Sequence, residues 1–189
     1  MRRALFLDRD GVLNELVYYY SSEEWEAPRS LIHLVMIEGV TEPLRRLVDA
    51  GWLLVIVTNQ PSYAKGKTSK EALLEVHAAA VERLGVPIAA SYLCFHHPDA
   101  SVEELRVTCE CRKPGSKSLL DAARDLDIDL PKSWMVGDQD TDLACGRAAG
   151  CRVALIEHPG SAEKRGTIEP DLRVGDLREL VNRVLSPES

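Results

Sequence analysis

Four short segments hold side chains whose types suit one reaction. Asp8, Asp10 and Asp138 offer carboxylate oxygens, which are the ligands that Mg²⁺ prefers in proteins. Thr58 offers a hydroxyl and Lys113 a fixed positive charge, and both suit the oxygens of a phosphoryl group. Phosphoryl transfer needs an in-line nucleophile, a cation on the phosphoryl oxygens and hydrogen-bond donors around them. The set therefore predicts metal-assisted phosphoryl transfer.

The first two carboxylates have separate predicted roles. Asp8 is the candidate nucleophile, because a carboxylate can accept a phosphoryl group and form an aspartyl-phosphate that water then hydrolyses. Asp10 is the candidate general acid and base, and its main-chain carbonyl is expected to complete the Mg²⁺ coordination. Gly11 permits the tight turn that follows. Taken singly, each aspartate is more often a turn former or helix cap, so the prediction depends on their combination.

Other residues of these segments are candidates for positioning the substrate. We expect the main-chain N–H of Asn59 to hold a phosphoryl oxygen, and Asp142 to orient Lys113 or a metal-bound water. Asp140 and Thr141 are explained equally well as helix caps. The predicted catalytic residues are Asp8, Asp10, Thr58 and Lys113. The predicted substrate contacts are Asn59, Gln60, Arg112 and Gln139, and the predicted Mg²⁺ ligands are Asp8, Asp10 and Asp138.

Strands and helices alternate along the chain and bring these segments together. The predicted strands are the short apolar runs Ala4–Leu7, Leu53–Val57, Tyr92–Phe95, Trp134–Val136 and Val153–Ile156. The predicted helices run from Thr41 to about Ala50, from Thr68 or Ser69 to Leu84, over Lys117–Asp125 and Asp140–Ala149, and from Asp176 onward. This alternation is typical of an α/β fold with a mainly parallel sheet. The carboxyl ends of such strands share one edge, where ligands bind.

Two long segments do not fit this alternation. One spans Glu15–His33, and the other starts at Cys94 and holds three cysteines and two adjacent histidines. Long irregular insertions in a compact α/β domain are usually functional loops or mobile linkers. We expect both to lie at the same end of the sheet as the carboxylates.

The four chemical segments together resemble motifs of the haloacid dehalogenase-like phosphatase superfamily. The matching runs are Leu7–Asn14, Val57–Gln60, Arg112-Lys113-Pro114 and Val136–Asp142. The resemblance covers nearly the whole chain. It implies a Rossmann-like three-layer sandwich with a mainly parallel sheet and no large cap domain, an aspartyl-phosphate mechanism and Mg²⁺. We therefore expect a single domain over residues 1–189.

Within that superfamily, the cysteine segment resembles the branch that contains heptose bisphosphate and histidinol-phosphate phosphatases. The resemblance implies a structural zinc in a loop of about residues 94–111, held by Cys94, His96, Cys109 and Cys111. Three thiolates and an imidazole can close a tetrahedral zinc site. The alternatives are chance or buried cysteines, and His97 in place of His96. Cys145 and Cys151 are read as packed thiols.

Zinc would also explain why Arg112 and Lys113 directly follow the last candidate ligand. Metal binding offsets the entropy lost when a short loop is ordered. An ordered loop would aim Lys113 at the phosphoryl group, and Arg112 at a sugar or second phosphate.

The chain departs from the pattern of this branch at several positions. Pro61-Ser62 follow Gln60 where Ser-Gly is usual, Gln139 stands in place of a lysine, and Gly115-Ser116-Lys117 replace a second proline. The chain is longer than expected between Asn14 and Gly39, a region that includes the candidate substrate loop of about residues 15–33. Its Tyr18–Tyr20 and Trp25 either stack on a sugar or pack the insertion. Lys65 and Lys67 either reach a distal phosphate or lie in solvent.

The composition narrows the classes of function. The 189 residues carry a net charge of −7, which disfavours a general nucleic-acid or anionic-membrane surface. The apolar run Ala4–Leu7 is too short for a signal-peptide core, so a cytoplasmic location is expected. In a reducing cytoplasm the five cysteines are metal ligands or packed thiols rather than disulfides. We expect a monomer with no nucleic-acid or membrane partner.

These observations predict Mg²⁺-dependent hydrolysis of a phosphomonoester, and the resemblance implies that the substrate is a small phosphorylated sugar, D-glycero-D-manno-heptose 1,7-bisphosphate. Histidinol phosphate or another small metabolite is the alternative substrate. A non-catalytic, zinc-stabilised binding module is an alternative of a different class, which the intact Asp8 and Asp10 disfavour. The acidic balance disfavours a nucleic-acid 3′-phosphatase.

Overall fold

The computed structural model describes residues 1–186 and contains a parallel six-stranded sheet. Its strands are β1 (Ala4–Leu7), β4 (Leu53–Asn59), β5 (Ala90–Cys94), β6 (Trp134–Gly137), β7 (Arg152–Ile156) and β8 (Leu172–Val174). They lie in the order β5-β4-β1-β6-β7-β8. A separate antiparallel hairpin is formed by β2 (Val17–Tyr19) and β3 (Glu24–Glu26). The predicted mainly parallel α/β sheet is confirmed.

Helices cover both faces of the sheet and complete the predicted three layers. They are α1 (Thr41–Asp49), α2 (Lys70–Leu84), α3 (Lys117–Leu126), α4 (Asp140–Ala149) and α5 (Leu177–Leu185). Alternate residues of β1 point to opposite faces, as strand geometry requires. Leu5 and Leu7 join one apolar cluster, which includes Leu44 of α1 and Leu180 of α5. Phe6 joins the other cluster, with residues of α3 and α4.

Some predicted boundaries are wrong. The third strand begins at Ala90 and ends at Cys94, not at Tyr92 and Phe95. The side chain of Thr41 suits a helix cap, but Val40 occupies the N-cap of α1 and no side chain caps that helix. By contrast, Ser69 caps α2 by accepting a hydrogen bond from the Ala72 N–H, in agreement with one predicted start.

Among the described residues, two short segments lie beyond the strands of the sheet. The hairpin and the cysteine segment after Cys94 lie outside the sheet, and no large cap domain is present among residues 1–186. None of the helices in this range has both the length and the apolar character needed to cross a membrane.

Candidate active site

The predicted catalytic segments meet at one edge of the sheet. Strand β1 lies between β4 and β6, with Leu7 paired to Ile56 on one side and to Val136 on the other. Asp8 follows β1, Thr58 lies near the end of β4, and Asp138 follows β6. Three adjacent parallel strands therefore deliver these side chains to the same place.

A cluster of three buried carboxylates lies at the centre of this edge. Asp8, Asp138 and Asp142 each place an oxygen within 4.8 Å of the others. Both side-chain oxygens of Asp138 are buried and lack a well-formed hydrogen bond among the described residues, although the Ser161 hydroxyl lies close by. Burial raises the pKa of the Asp138 carboxyl, and the nearby Asp142 and Asp8 raise it further. Unsatisfied buried oxygens and concentrated negative charge are what a bound divalent cation would relieve, so the residues fit Mg²⁺.

Gly11 makes room for this cluster. Its φ is +85°, and a Cβ at this position would lie 2.3 Å from Oδ2 of Asp138. Both the backbone conformation and the close approach therefore require glycine. The tight turn predicted after Asp10 is present.

Lys113 is a buried cation held at three points. Its Nζ lies 2.8 Å from Oδ1 of Asp8 and 2.7 Å from Oδ1 of Asp142. It also donates to the carbonyl oxygen of Val57 at 2.9 Å. Burial disfavours the charged ammonium, but the Asp142 and Asp8 carboxylates outweigh burial and raise the pKa of Lys113. Lys113 is thus a fixed positive charge beside the candidate nucleophile.

The Asp8 carboxylate is held through one oxygen. Its Oδ1 accepts a hydrogen bond from the Arg9 N–H at 2.7 Å and also contacts Lys113. Burial raises the pKa of Asp8 to about 7, and Lys113 opposes this shift. Among residues 1–186, no hydrogen bond or ion pair is found at Oδ2. This oxygen is available for attack on a substrate.

The Asp10 carboxylate is held by four side chains and lies outside the carboxylate cluster, whose third member is Asp142. Its Oδ1 accepts from Arg9 Nη2 and from Asn14 Nδ2, each at 3.0 Å. Its Oδ2 accepts from Gln60 Nε2 at 2.6 Å and from Thr58 Oγ1 at 3.3 Å. These contacts fix the side chain, so any metal contact of Asp10 is left to its main-chain carbonyl.

Successive side chains at the end of β4 point to opposite sides, as in any strand. Thr58 and Gln60 point towards Asp10, whereas the Asn59 amide points the other way, towards Lys113. Gln60 is fully buried and does not line the cavity, and its contact with the substrate stays a prediction. The Thr58 hydroxyl is also buried and donates to Asp10, and its contact with a phosphoryl oxygen stays a prediction.

Three further contacts were not predicted from the sequence. Arg9 is completely buried, although an arginine beside an aspartate usually reads as a surface residue. Asn14 lies in a run that matches the superfamily, but nothing in its residue type predicts a bond to Asp10. The Asn59 side chain accepts from the Lys113 N–H and donates to the Lys113 carbonyl, both at 3.1 Å.

The four predicted zinc ligands form a second cluster. Their ligand atoms lie within 4.8 Å of one another. Sγ of Cys111 lies 3.3 Å from Sγ of Cys94 and 3.2 Å from Sγ of Cys109. Nδ1 of His96 lies 3.5 Å from Sγ of Cys111. Three thiols and one imidazole converging on a point fit a closed tetrahedral zinc site.

The remaining histidine and cysteines singled out in the sequence lie outside this cluster. His97 lies outside it, and its Nδ1 accepts from the Asp99 N–H at 3.0 Å, so the alternative ligand set is wrong. Arg112 donates to the His96 carbonyl at 3.3 Å, which couples the zinc loop to the cavity. Cys145 and Cys151 are buried, and burial raises the pKa of each thiol to about 12.

An open cavity of about 270 Å³ lies above Asp8 and Asp10. Its walls include three of the predicted substrate contacts, Asn59, Arg112 and Gln139. The remaining lining residues are Leu16, Glu24, Trp25, Glu26, Ala27, Pro61, Ser62, Lys65, Lys113, Thr141, Asp142 and Lys164. A second cavity, of about 690 Å³, is larger but contains none of the clustered carboxylates. We therefore place the chemistry in the first cavity.

Several proteins are similar to this chain in sequence and in fold. Residues 110–180 match the HAD-hydrolase-like family model. A D-glycero-beta-D-manno-heptose-1,7-bisphosphate 7-phosphatase of Haemophilus ducreyi is 34% identical over 186 residues, which are 95% of this chain and 97% of the relative. The enzyme of that name from Yersinia pestis is 37% identical over 161 residues, which are 83% of this chain and 81% of the relative.

A solved structure agrees with these relatives. The crystal structure of D,D-heptose 1,7-bisphosphate phosphatase from B. bronchiseptica, complexed with magnesium and phosphate, has a TM-score of 0.77 and 28% identity. The match covers 97% of this chain and 98% of that one. The chain therefore belongs to the haloacid dehalogenase-like hydrolases.

Proposed function

We propose that this protein is a Mg²⁺-dependent phosphatase that hydrolyses a phosphomonoester of a small phosphorylated sugar, with heptose 1,7-bisphosphate as its substrate. One observation carries the proposal. A buried lysine holds one oxygen of Asp8 beside an Asp138 carboxylate whose two oxygens lack a well-formed hydrogen bond among the described residues. This arrangement places a nucleophile next to a cation site.

In the first step, the free oxygen of Asp8 attacks phosphorus. A bond forms between this oxygen and phosphorus, and the bond from phosphorus to the ester oxygen breaks. The electron pair of the broken bond stays on the leaving oxygen, which takes a proton from Asp10. The hydrogen bonds from Arg9, Asn14 and Gln60 hold the Asp10 carboxyl in place for this transfer.

In the second step, water attacks the phosphorus of the aspartyl-phosphate while Asp10 takes one of its protons. The bond between phosphorus and the Asp8 oxygen breaks, and its electron pair returns to the carboxylate. Inorganic phosphate and the starting enzyme result. A single residue thus serves as acid and then as base.

Lys113 and the metal have complementary tasks. Asp8, Asp138 and the main-chain carbonyl of Asp10 would hold Mg²⁺, which when bound offsets the negative charge on the phosphoryl oxygens. Lys113 adds a positive charge next to Asp8, and Asp142 keeps that ammonium in place. Together they reduce the repulsion between a carboxylate and an anionic substrate.

Cys94, His96, Cys109 and Cys111 would hold a structural zinc. The loop they close leads directly into Arg112 and Lys113, and Asn59 fixes the main chain of Lys113. Arg112 and Gln139 line the cavity and are proposed to contact the sugar or its second phosphate. The names of the relatives and the pattern of the cysteine segment support the heptose substrate.

Steady-state rates test this proposal. Heptose 1,7-bisphosphate should be hydrolysed with a higher kcat/KM than histidinol phosphate or an aryl phosphate. The Asp8→Asn variant should lose activity on all three, by about a thousandfold or more, because the nucleophile is removed. Turnover by Asp8→Asn at the parental rate would refute the mechanism. A preference for histidinol phosphate would overturn the substrate only.

The Asp10→Asn variant separates the two steps. An aryl phosphate has a good leaving group, so it depends little on protonation by Asp10, whereas attack by water still needs a base. The aspartyl-phosphate should therefore accumulate in this variant and be detectable by mass spectrometry of the acid-quenched protein. Absence of a phosphorylated Asp8 during slow turnover would contradict the covalent mechanism.

We further propose a monomer located in the cytoplasm. All five cysteines are free thiols, as expected in a reducing compartment. Light scattering on the purified protein tests the first part, and cell fractionation tests the second.

A further inference from the structure

The hairpin β2–β3 forms one wall of the active-site cavity. We call residues 17–26 the pocket hairpin. Tyr18 pairs with Trp25, and Val17 pairs with Glu26. Trp25 and Glu26 both line the cavity. A two-stranded hairpin with strands this short is at best marginally stable alone, so its place over the cavity depends on contacts with the rest of the protein.

Glu26 ties the pocket hairpin to one side of the cavity. Its side chain is only 14% exposed and pairs with Arg29 at 2.8 Å and with Lys67. The Ser22 hydroxyl donates to the same carboxylate at 3.2 Å. Burial alone would raise the pKa of Glu26, but the hydrogen bonds from Lys67 and Arg29 lower it to about 2. The carboxylate is therefore charged and fully engaged by protein cations, although it faces an anion-binding cavity.

One partner of Glu26, Lys67, belongs to the loop that follows β4. This loop leads to α2, and Lys67 does not line the cavity. The next residue, Thr68, donates its hydroxyl to the carbonyl of Arg29 at 2.9 Å. Arg29 also stacks on Tyr19, with its guanidinium carbon 3.7 Å from the ring centre. These contacts attach the hairpin to the loop that follows Thr58 and Asn59.

Trp25 ties the pocket hairpin to the opposite side. Its ring packs against Gly160, where an added Cβ would lie 2.9 Å from a ring atom. Its carbonyl accepts a hydrogen bond from Lys164 at 3.1 Å. Gly160 and Lys164 both belong to the 3₁₀ turn after β7. The hairpin thus bridges two loops on either side of the cavity, and Trp25 stays 41% exposed within it.

We propose that Glu26 is a positioning residue, which pairs with Arg29 and Lys67 to hold Trp25 as the wall against which the carbon skeleton of the substrate packs. An aromatic face is well suited to the apolar face of a sugar, because both surfaces leave water on contact. A wall of this kind favours sugar phosphates over short acyclic ones. The inference rests on the proposed phosphatase function and names the residues that select its substrate.

Fluorescence quenching tests, independently of activity, whether Glu26 holds the pocket hairpin in place. The chain has three tryptophans, and Trp52 and Trp134 are only 4% and 3% exposed. Acrylamide should therefore quench mainly Trp25, and a Trp25→Phe variant gives the background. Glu26→Gln keeps the shape but removes the charge, and should raise the Trp25 quenching constant about twofold as the hairpin is released. The exposed Glu23 has no ion pair among the described residues, so Glu23→Gln is the matched control.

Kinetics test the wall. For a sugar phosphate, Glu26→Gln and Trp25→Ala should both raise KM about tenfold, as expected for loss of one packing or ion-pair contact, with kcat unchanged. For glycerol 3-phosphate, which is too short to reach the wall, KM and kcat should not change. The ratio of kcat/KM between the two substrates should fall accordingly, which a purely structural role would not produce.

Each outcome has a definite meaning. Unchanged quenching in Glu26→Gln would refute the role of Glu26 in holding the hairpin. Increased quenching with an unchanged ratio of kcat/KM between the two substrates would refute the role of Trp25 as a wall for the substrate. If Glu26→Gln fails to fold, Lys67→Met breaks the same ion pair from the other side and should give the same two results. A parental protein that hydrolyses no phosphomonoester would refute the proposed function, and the quenching result would still decide whether Glu26 holds the hairpin.

Discussion

The side-chain amide of Asn59 makes two hydrogen bonds with the main chain of Lys113, each 3.1 Å long. Asn59 ends β4, whereas Lys113 lies two residues after the last cysteine of the zinc loop, so this pair joins the sheet to the zinc loop. The consequence is that the position of the Lys113 ammonium beside Asp8 depends on two distant parts of the chain.

Replacement of Asn59 by alanine should therefore impair catalysis more than stability. Loss of the two bonds lets the Lys113 main chain shift, and a small displacement of a catalytic group lowers kcat by about ten- to a hundredfold. Steady-state kinetics and a thermal melt measure the two effects. Asn59→Asp keeps the acceptor for the Lys113 N–H and should fall between alanine and the parent. Parental kcat in Asn59→Ala would show that the zinc loop alone positions Lys113.

The sequence predicted those features that depend on local pattern. Apolar runs such as Leu53–Val57 are recognisable because a strand covered on both faces has no polar alternation. Asp8 and Asp138 were predicted to converge because parallel strands end at one edge. The pocket hairpin and β8 were missed, since strands of three residues are too short to show a period.

Contacts that depend on side-chain direction could not be predicted. Gln60 is two residues beyond Thr58, and only the pleat of β4 decides that both face Asp10 and not the cavity. The burial of Arg9 likewise depends on how the turn after β1 folds back. Residue type and spacing place such groups near the site, whereas the backbone path decides which of them touches the substrate.

A comparison of Gly11→Ala with Gly51→Ala should separate the effect of backbone strain from the effect of disturbing the metal site. A Cβ on Gly11 would lie 2.3 Å from Oδ2 of Asp138, so the carboxylate must move. Gly51 has nearly the same φ, +81°, but nothing lies within 4 Å of a Cβ there. Each substitution should cost about 1–2 kcal/mol of unfolding free energy for the left-handed backbone. Only Gly11→Ala should also weaken Mg²⁺ binding, measured by calorimetry, and equal Mg²⁺ affinity in both variants would contradict the proposed metal site.

Removal of zinc should lower activity even when Mg²⁺ is saturating. Without the metal, the loop that carries Arg112 and Lys113 loses its crosslink, so both the melting temperature and kcat should fall. Cys111→Ser should reproduce the effect. Cys151→Ser, at a buried thiol outside the cluster, should leave the metal content unchanged. Full activity in a sample shown to be free of zinc would refute this role.

The thiols should also report the state of the zinc loop. In the metal-free protein, the half-buried Cys109 and Cys111 should react with a maleimide at neutral pH, whereas Cys94 is buried and should stay protected. Cys145 and Cys151 should stay unreactive until the protein unfolds, because burial raises the pKa of each to about 12. Mass spectrometry counts the labelled sites, and labelling of all five cysteines under native conditions would contradict the packing described here.

His77 should make the folded protein sensitive to acid. Burial, together with the nearby charge of Arg9, lowers the pKa of His77 from 6.5 to about 4, and its Nδ1 is buried without a partner among the described residues. In the unfolded chain His77 binds a proton below pH 6.5, whereas in the folded protein it stays neutral down to about pH 4. The free energy of unfolding therefore falls as the pH is lowered through this window. Since the ring is only partly buried, the loss should be about 1–2 kcal/mol. Urea unfolding at pH 7 and pH 4.5 should show a smaller loss in His77→Gln than in the parent, because other acidic groups titrate equally in both, and identical losses would contradict the assignment.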